Sequence, residues 1–356
     1  FYNGKKRRML LLTAGRLGIF SSKTAVSVLR YCPDEVVGII DARHAGEDPA
    51  AVIGIGSGVP IFPTVSDALA AKPDSLVIGI APMGGGLDPL WRAECLEALR
   101  AGLNVIAGLH IALAEDVELA SAAKSSGARI FDVRMSPDGL PVSTMKAMDV
   151  NAYRVLTVGT DCSSGKMLAA LELTKAARAA GLDGRFVATG QTGIMIVGKG
   201  IAIDHVISDF TAGAVEKMIV EDSDADMLFV EGQGSLVHPG YSGVTLSLMH
   251  GALPNAMVMV HDASRQNVRS YPRDVKLPGL AAMIELSETV MRPVFESKVV
   301  AICLNTATMS EDDARRAVDD AQRETGLPAG DVVRFGAQPV WNAVKEAYDE
   351  AANRNS

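Results

Sequence analysis

Residues 155–173 read VLTVGTDCSSGKMLAALEL. An apolar strand runs into Gly159, Gly165-Lys166 follows, and an alanine-rich helix begins at once. Glycines and small residues between a strand and a helix let backbone N–H groups turn toward an anion. The helix adds its N-terminal dipole and the lysine a point charge. The chain is thereby committed to an α/β layer carrying a phosphate-binding loop.

The first 130 or so residues alternate strand and helix in the same manner: RRMLLLTAG, SSKTAVSVLRYC, DEVVGIID, then SLVIGIAP, PLWRAECLEALRAG, LNVIAG, EDVELASAAKSSG and ARIFDV. Helices of 10–15 residues between short apolar strands imply a parallel, doubly wound sheet. The expected fold class is therefore two doubly wound α/β domains. These are a Rossmann-like one over 1–135 and a P-loop NTPase-like one over 153–350, with the proline-containing stretch 136–152 as linker. The first turn offers Gly15 and Gly18 but not a full G-x-G-x-x-G. Asp41 stands where a ribose-binding acid would, or is simply a polar strand end, so dinucleotide binding is disfavoured. APMGGGLD (81–88) either accepts an anion or turns the chain.

In the second domain the loop Gly159-Thr160-Asp161-Cys162-Ser163-Ser164-Gly165-Lys166 has the spacing G-x5-G-K, which resembles the loop of dethiobiotin synthetase and its relatives. Met167 stands where magnesium-nucleotide enzymes place a Ser or Thr hydroxyl. A thioether does not serve a hard cation, so a pyrophosphate held but not broken is favoured. Parallel sheets bind ligands beyond the carboxyl ends of their strands. The residues expected there are Gln191 and Thr192 after RFVAT, Glu231 and His238 after DMLFV, His261 and Asp262 after NAMVMV, and Asn305 after KVVAICL. Asn305 reads an adenine edge or caps a turn. Arg265, Arg269, Arg273 and Lys276 form a basic cluster that binds carboxylates or phosphates, or is a solvated loop.

RVLTVGTDCSSGKM, ATGQTGIM, VEGQGSLVHPG and VRSYPRD, behind a Rossmann-like domain, resemble the D-glutamate N-acetyltransferase family over nearly the whole chain. The resemblance implies transfer of an acetyl group from acetyl-CoA, as co-substrate, to the amino group of D-glutamate or a similar D-amino acid. On that reading Gly159, Thr160, Asp161, Cys162, Ser163, Ser164, Gly165, Lys166 and Met167 hold the CoA phosphates and Asn305 contacts adenine. Arg265, Arg269 and Arg273 clamp the two acceptor carboxylates. Gln191 or backbone N–H groups of GQTG, with Thr192 beside them, face the developing oxyanion. The general base is Glu231 first, then His238, then Asp262. Cys162, near a helix start, is either an acyl-accepting nucleophile or a small loop filler.

A formal charge of −8 argues against a nucleic-acid partner. Cys32, Cys95, Cys162 and Cys303 form no C-x-x-C pair, which suits a reduced cytoplasmic setting and no metal. No stretch is long and apolar enough for a membrane span, and a homo-oligomer is expected from extensive apolar α/β surfaces. The competing function is an ATP- and magnesium-dependent ligase or kinase acting on a small carboxylate. An NAD-dependent oxidoreductase and a non-catalytic nucleotide sensor are the lesser alternatives.

Overall fold

The computed structural model describes residues 6–80, 86–269 and 274–355. Among the described residues, twelve strands are divided between two six-stranded sheets in which every neighbouring pair is parallel. The first sheet contains β1 (Met9–Leu12), β2 (Val36–Ile40), β3 (Ile61–Phe62), β4 (Ser75–Ile78), β5 (Asn104–Ala107) and β6 (Ile130–Asp132) in the order β3-β2-β1-β4-β5-β6. That order places a topological switch between β1 and β4, the dinucleotide-fold arrangement. β1 is buried along its whole length, which is why its sequence is continuously apolar rather than alternating.

Asp41, just beyond β2, is spent on structure. Its Oδ2 accepts the Thr13 hydroxyl at 2.7 Å and the N–H groups of Gly15 and Leu17 at 2.9 and 3.0 Å. Its Oδ1 accepts the N–H groups of Arg43 and His44 at 3.1 and 3.2 Å. Fully buried and saturated, this carboxylate shapes the turn after β1. That selects the strand-end alternative over the ribose-binding one.

The second sheet contains β7 (Tyr153–Gly159), β8 (Gly184–Val187), β9 (Met227–Val230), β10 (Ala256–Asp262), β11 (Lys298–Asn305) and β12 (Ala329–Gly330), ordered β12-β11-β10-β7-β9-β8. Its centre is β7, flanked by β9 and β10. The chain runs β7 to β8, returns to β9, and crosses to β10 on the other side. The switch point is therefore at the phosphate loop.

The two compact units are not two unbroken stretches of chain. One is Phe1–Ser136 together with Gln191–His205, and the other is Pro137–Gly190 with Val206–Ser356. Within the first unit, Arg7 donates to the carbonyl oxygens of Met195 and Ile196 at 2.6 and 2.8 Å, at the end of the helix Gln191–Val197. Arg134 pairs with Asp204. The stretch expected as a linker packs in the second unit, where Glu216 accepts hydrogen bonds from Ser143, Thr144 and the Lys146 N–H.

Candidate functional site

The phosphate loop needs its glycines for close approach. A Cβ on Gly159 would lie 2.9 Å from both Lys166 Nζ and Ser164 Oγ, and one on Gly232 would lie 1.6 Å from the Thr157 carbonyl oxygen. Ser163 and Gly165 adopt left-handed φ values of 54° and 114°. Such steps let successive N–H groups face one anion. The helix Lys166–Ala179 that follows has no side-chain N-cap, which leaves its first N–H groups for a ligand. Lys166 is buried and donates to the Asp161 carbonyl at 2.7 Å, so the lysine is folded onto its own loop. Burial pushes its ammonium down to about 8, with Arg265 pushing the same way. An anion arriving in the loop would restore the charge.

Asp161 organises the outer wall. Its Oδ2 accepts Arg265 Nη1 at 2.9 Å and the Arg269 N–H at 2.8 Å, while Oδ1 accepts the Cys162 N–H at 2.7 Å. Arg265 also donates to the Cys162 carbonyl at 2.6 Å and to Asp262 at 2.8 Å. Its guanidinium ties the β10 end to the loop. Thr160 Oγ1 bonds His261 Nδ1 at 2.8 Å and its carbonyl accepts the Ser235 hydroxyl at 2.9 Å. Burial holds His261 below its usual range, which favours the neutral ring. A cavity of about 430 Å³, lined by His261, Arg265, Lys276, Leu277, Leu280 and Glu324 among others, adjoins this wall.

The three base candidates differ in their surroundings. Glu231 is buried, and its Oε2 accepts the N–H groups of Thr189 and Gly190, each at 3.0 Å. Its Oε1 accepts Gln233 Nε2 at 3.1 Å. A carboxylate receiving three N–H donors is stabilised as the anion and is a poor proton acceptor. Asp262 is engaged by Arg265 and by the Ser264 N–H and hydroxyl. His238 Nδ1 accepts the Gly240 N–H at 3.1 Å, so the hydrogen sits on Nε2, which donates to the Arg269 carbonyl at 3.3 Å. Its ring packs on Tyr241, with centroids 4.8 Å apart. His238 differs from the two carboxylates in that its acceptor, Nδ1, is a ring nitrogen holding the Gly240 N–H.

Cys162 joins this corner. Its Sγ, a ring nitrogen of His238 and a carboxylate oxygen of Asp161 lie within 4.8 Å of one another. Such a trio is a conceivable metal donor set, yet the Arg265 guanidinium already occupies the anionic face of Asp161.

Other expected site residues are distributed differently. Gln191 and Thr192 belong to the first unit. There a Cβ on Gly108 would meet Gln191 Cγ at 2.7 Å, and Thr192 Oγ1 lies 3.0 Å from Thr24 Oγ1. Both make packing contacts within that unit. Asn305 lies beside Gly165, 3.7 Å from where a Cβ there would stand, and its Oδ1 accepts the Ala307 N–H at 3.2 Å. Arg269 contributes its main chain to the wall while its side chain is exposed. Arg273 and residues 81–85 of the glycine-rich stretch lie outside the described residues. Ser235 and Gln233 enter the site without having been expected. Their only signal was their place in the loop after β9.

Residues 42–136 match a domain of unknown function described as Rossmann-like, DUF1611_N, and residues 141–341 match one described as a P-loop domain, DUF1611_C. A D-glutamate N-acetyltransferase of Tritonibacter scottomollicae is 35% identical over 336 residues, covering 94% of this chain and 97% of the relative. A second protein of that name, from a Pseudoalteromonas species, is 34% identical over 278 residues, or 78% of this chain and 83% of its own. The crystal structure of a DUF1611 family protein from Anabaena variabilis superimposes with a TM-score of 0.89 at 42% identity, covering 96% of this chain and 99% of that one. With a Rossmann-like first half, a P-loop second half and relatives matched along nearly its full length, this chain belongs to the DUF1611 family.

Proposed function

We propose that this protein transfers the acetyl group of acetyl-CoA to the amino group of D-glutamate, with the loop Gly159–Met167 holding the CoA pyrophosphate. The names of the two relatives support a transferase acting on D-glutamate. The observation that carries the donor assignment is the loop itself. A buried lysine, an uncapped helix start and the neighbouring Arg265 make an anion cradle. Met167 occupies the position from which a hydroxyl would hold magnesium on a nucleotide being cleaved. A cradle without that post suits a phosphate group that anchors a carrier and stays intact.

In the reaction the amine nitrogen attacks the carbonyl carbon, the thioester C–S bond breaks, and CoA leaves with a proton. A base must take a proton from the nitrogen. Glu231 does not fill that role and acts as a positioning residue that holds the Thr189–Gly190 turn. The adjoining cavity carries Lys276, a cation suited to an acceptor carboxylate.

The test is thiol release from acetyl-CoA by the purified protein with D-glutamate, L-glutamate or no acceptor, alongside Lys166→Ala. Release that needs D-glutamate, with CoA affinity lost in the variant, is expected. Magnesium-dependent ADP formation from ATP and a carboxylate, with no thiol release, would overturn the reading in favour of a ligase or kinase.

A further inference from the structure

We infer that His261 is the general base of the transfer: its Nε2 takes the proton from the acceptor's amine, inside the cavity where Lys276 meets an acceptor carboxylate. This rests on the acetyl-transfer reading above and supplies the proton acceptor that the reaction needs.

Placement comes first. His261 is the penultimate residue of β10, and it lines the cavity beyond the carboxyl ends of β10 and β11, where parallel sheets bind their ligands. Lys276 lines the same cavity. Its segment is pinned to the stretch after β10 by an antiparallel bridge to Asn267 and by main-chain bonds from Val268 to Val275 and from Leu277 to Gln266. Arg265 is already committed to Asp161, Cys162 and Asp262, so Lys276 is the cation left for a substrate. Leu277, Leu280 and Leu304 supply apolar walls.

Orientation comes second. The ring's Nδ1 bonds Thr160 Oγ1 at 2.8 Å, while Nε2, on the other side of the ring, has no hydrogen-bond partner among the described residues. This separates His261 from His238, both of whose ring nitrogens are engaged, and from Glu231, sealed by three N–H donors. With the hydrogen on Nδ1, Thr160 Oγ1 accepts it from the neutral ring and from the imidazolium alike, so protonation of Nε2 breaks no contact. The N–H and C=O of Thr160 are bonded to Val260 and Ser235, so holding the ring takes no group from the anion cradle. Charge comes third. Burial, the largest influence, favours the neutral ring, and Arg265 acts in the same direction. Asp262 and Glu324 act the other way and stabilise the imidazolium that forms during the step. Lys276 and Asp320 are the remaining charges on the cavity wall.

Bonds and protons balance in a single displacement. The neutral amine attacks the acetyl carbon, Nε2 takes the proton that the nitrogen sheds, and the thioester C–S bond breaks. The imidazolium then gives that proton to the departing CoA thiolate, so the ring ends neutral with its other hydrogen still on Thr160. Strand β10 neighbours β7, so the cavity opens one strand away from the phosphate loop. A pantetheine arm, roughly 15 Å when extended, bends to deliver the thioester there.

The test uses the full chain with acetyl-CoA and D-glutamate. His261→Asn keeps an N–H donor for Thr160 and removes Nε2. It is expected to lower kcat by at least about 100-fold, with affinity for desulfo-CoA unchanged by isothermal titration and folding checked by thermal unfolding. Only the neutral ring accepts a proton. In the wild type kcat should therefore fall about tenfold per pH unit below a ring pKa that lies under the usual histidine range. That acid limb should vanish in His261→Asn. Lys276→Ala should raise KM for D-glutamate by about tenfold or more. Should His261→Asn fail to fold, nitrogen NMR of the wild-type ring carries the test, with the hydrogen expected on Nδ1 and Nε2 titrating across the limb. A kcat in His261→Asn within about threefold of the wild type, an acid limb that survives in it, or a neutral ring with its hydrogen on Nε2 would overturn the base while leaving acetyl transfer standing. No thiol release by the wild type with D-glutamate would overturn both.

Discussion

Replacing Glu231 by glutamine alters one atom of a buried side chain and separates two roles that its position at the end of β9 allows. The carboxylate accepts the Thr189 and Gly190 N–H groups at 3.0 Å each and Gln233 Nε2 at 3.1 Å. A glutamine keeps one carbonyl oxygen for the two backbone donors, and Gln233 can turn its own oxygen toward the new NH2 group. The third bond is thus conserved, while the first two lose their charge assistance. At about 1 kcal/mol for each bond that passes from ionic to neutral, the cost is about 2 kcal/mol. For a domain of this size that corresponds to a fall in Tm of about 5 °C. Differential scanning calorimetry measures it, and thiol release at saturating substrates gives kcat on the same sample. On the proposal that the side chain positions a turn rather than moving a proton, kcat should fall less than about tenfold. An unchanged Tm with a loss of 100-fold or more in kcat would refute this, because that is the signature of a removed general base. Gly190→Ala disturbs the same corner sterically, since its Cβ would approach Gln233 Nε2 to 2.5 Å, and should reproduce the thermal effect.

Lys166, held down to about 8 by burial, makes anion affinity depend on pH. Its protonated form binds, so affinity for desulfo-CoA, which has no thiol to titrate, is full below about pH 8 and falls above it, at most tenfold per pH unit. Isothermal titration between pH 7 and 10 measures this. A flat profile in the wild type, or one that Lys166→Arg fails to flatten, would count against it. Asp41→Asn removes a carboxylate that accepts five hydrogen bonds around the turn after β1, and should lower stability by about 2–3 kcal/mol while leaving CoA affinity intact. NAD binding in the wild type that vanishes in this variant without any loss of stability would restore the ribose-binding reading.

The family signal and both parallel sheets are legible in the sequence because they rest on local patterns. Strand β7 is buried along its whole length, with Val155, Leu156 and Val158 as its apolar residues beyond Tyr153. Gly159 answers to close approach and Gly165 to left-handed backbone, and Lys166 folds back onto the loop to bond the Asp161 carbonyl. The roster of polar residues after each strand followed from parallel topology, and it did bring Glu231, His238, Asp262 and Arg265 to the vicinity of the loop.

What each of those residues does there was decided by tertiary contacts. Sheet order sets β9 and β10 on either side of β7, and only that juxtaposition brings His238 to Cys162, Asp161 to Arg265, and Thr160 to His261. A string of residues gives the same Glu231 whether its carboxylate is open to a substrate or sealed by three N–H donors. Likewise, nothing local distinguishes an Asp41 aimed at a ribose from one folded into its own turn. The helix Gln191–Val197 follows β8 in sequence, yet Arg7, Gly108 and Thr24 claim it for the first unit. Periodicity reports which face of an element is buried, whereas the partner that buries it is chosen by packing between segments distant in the chain.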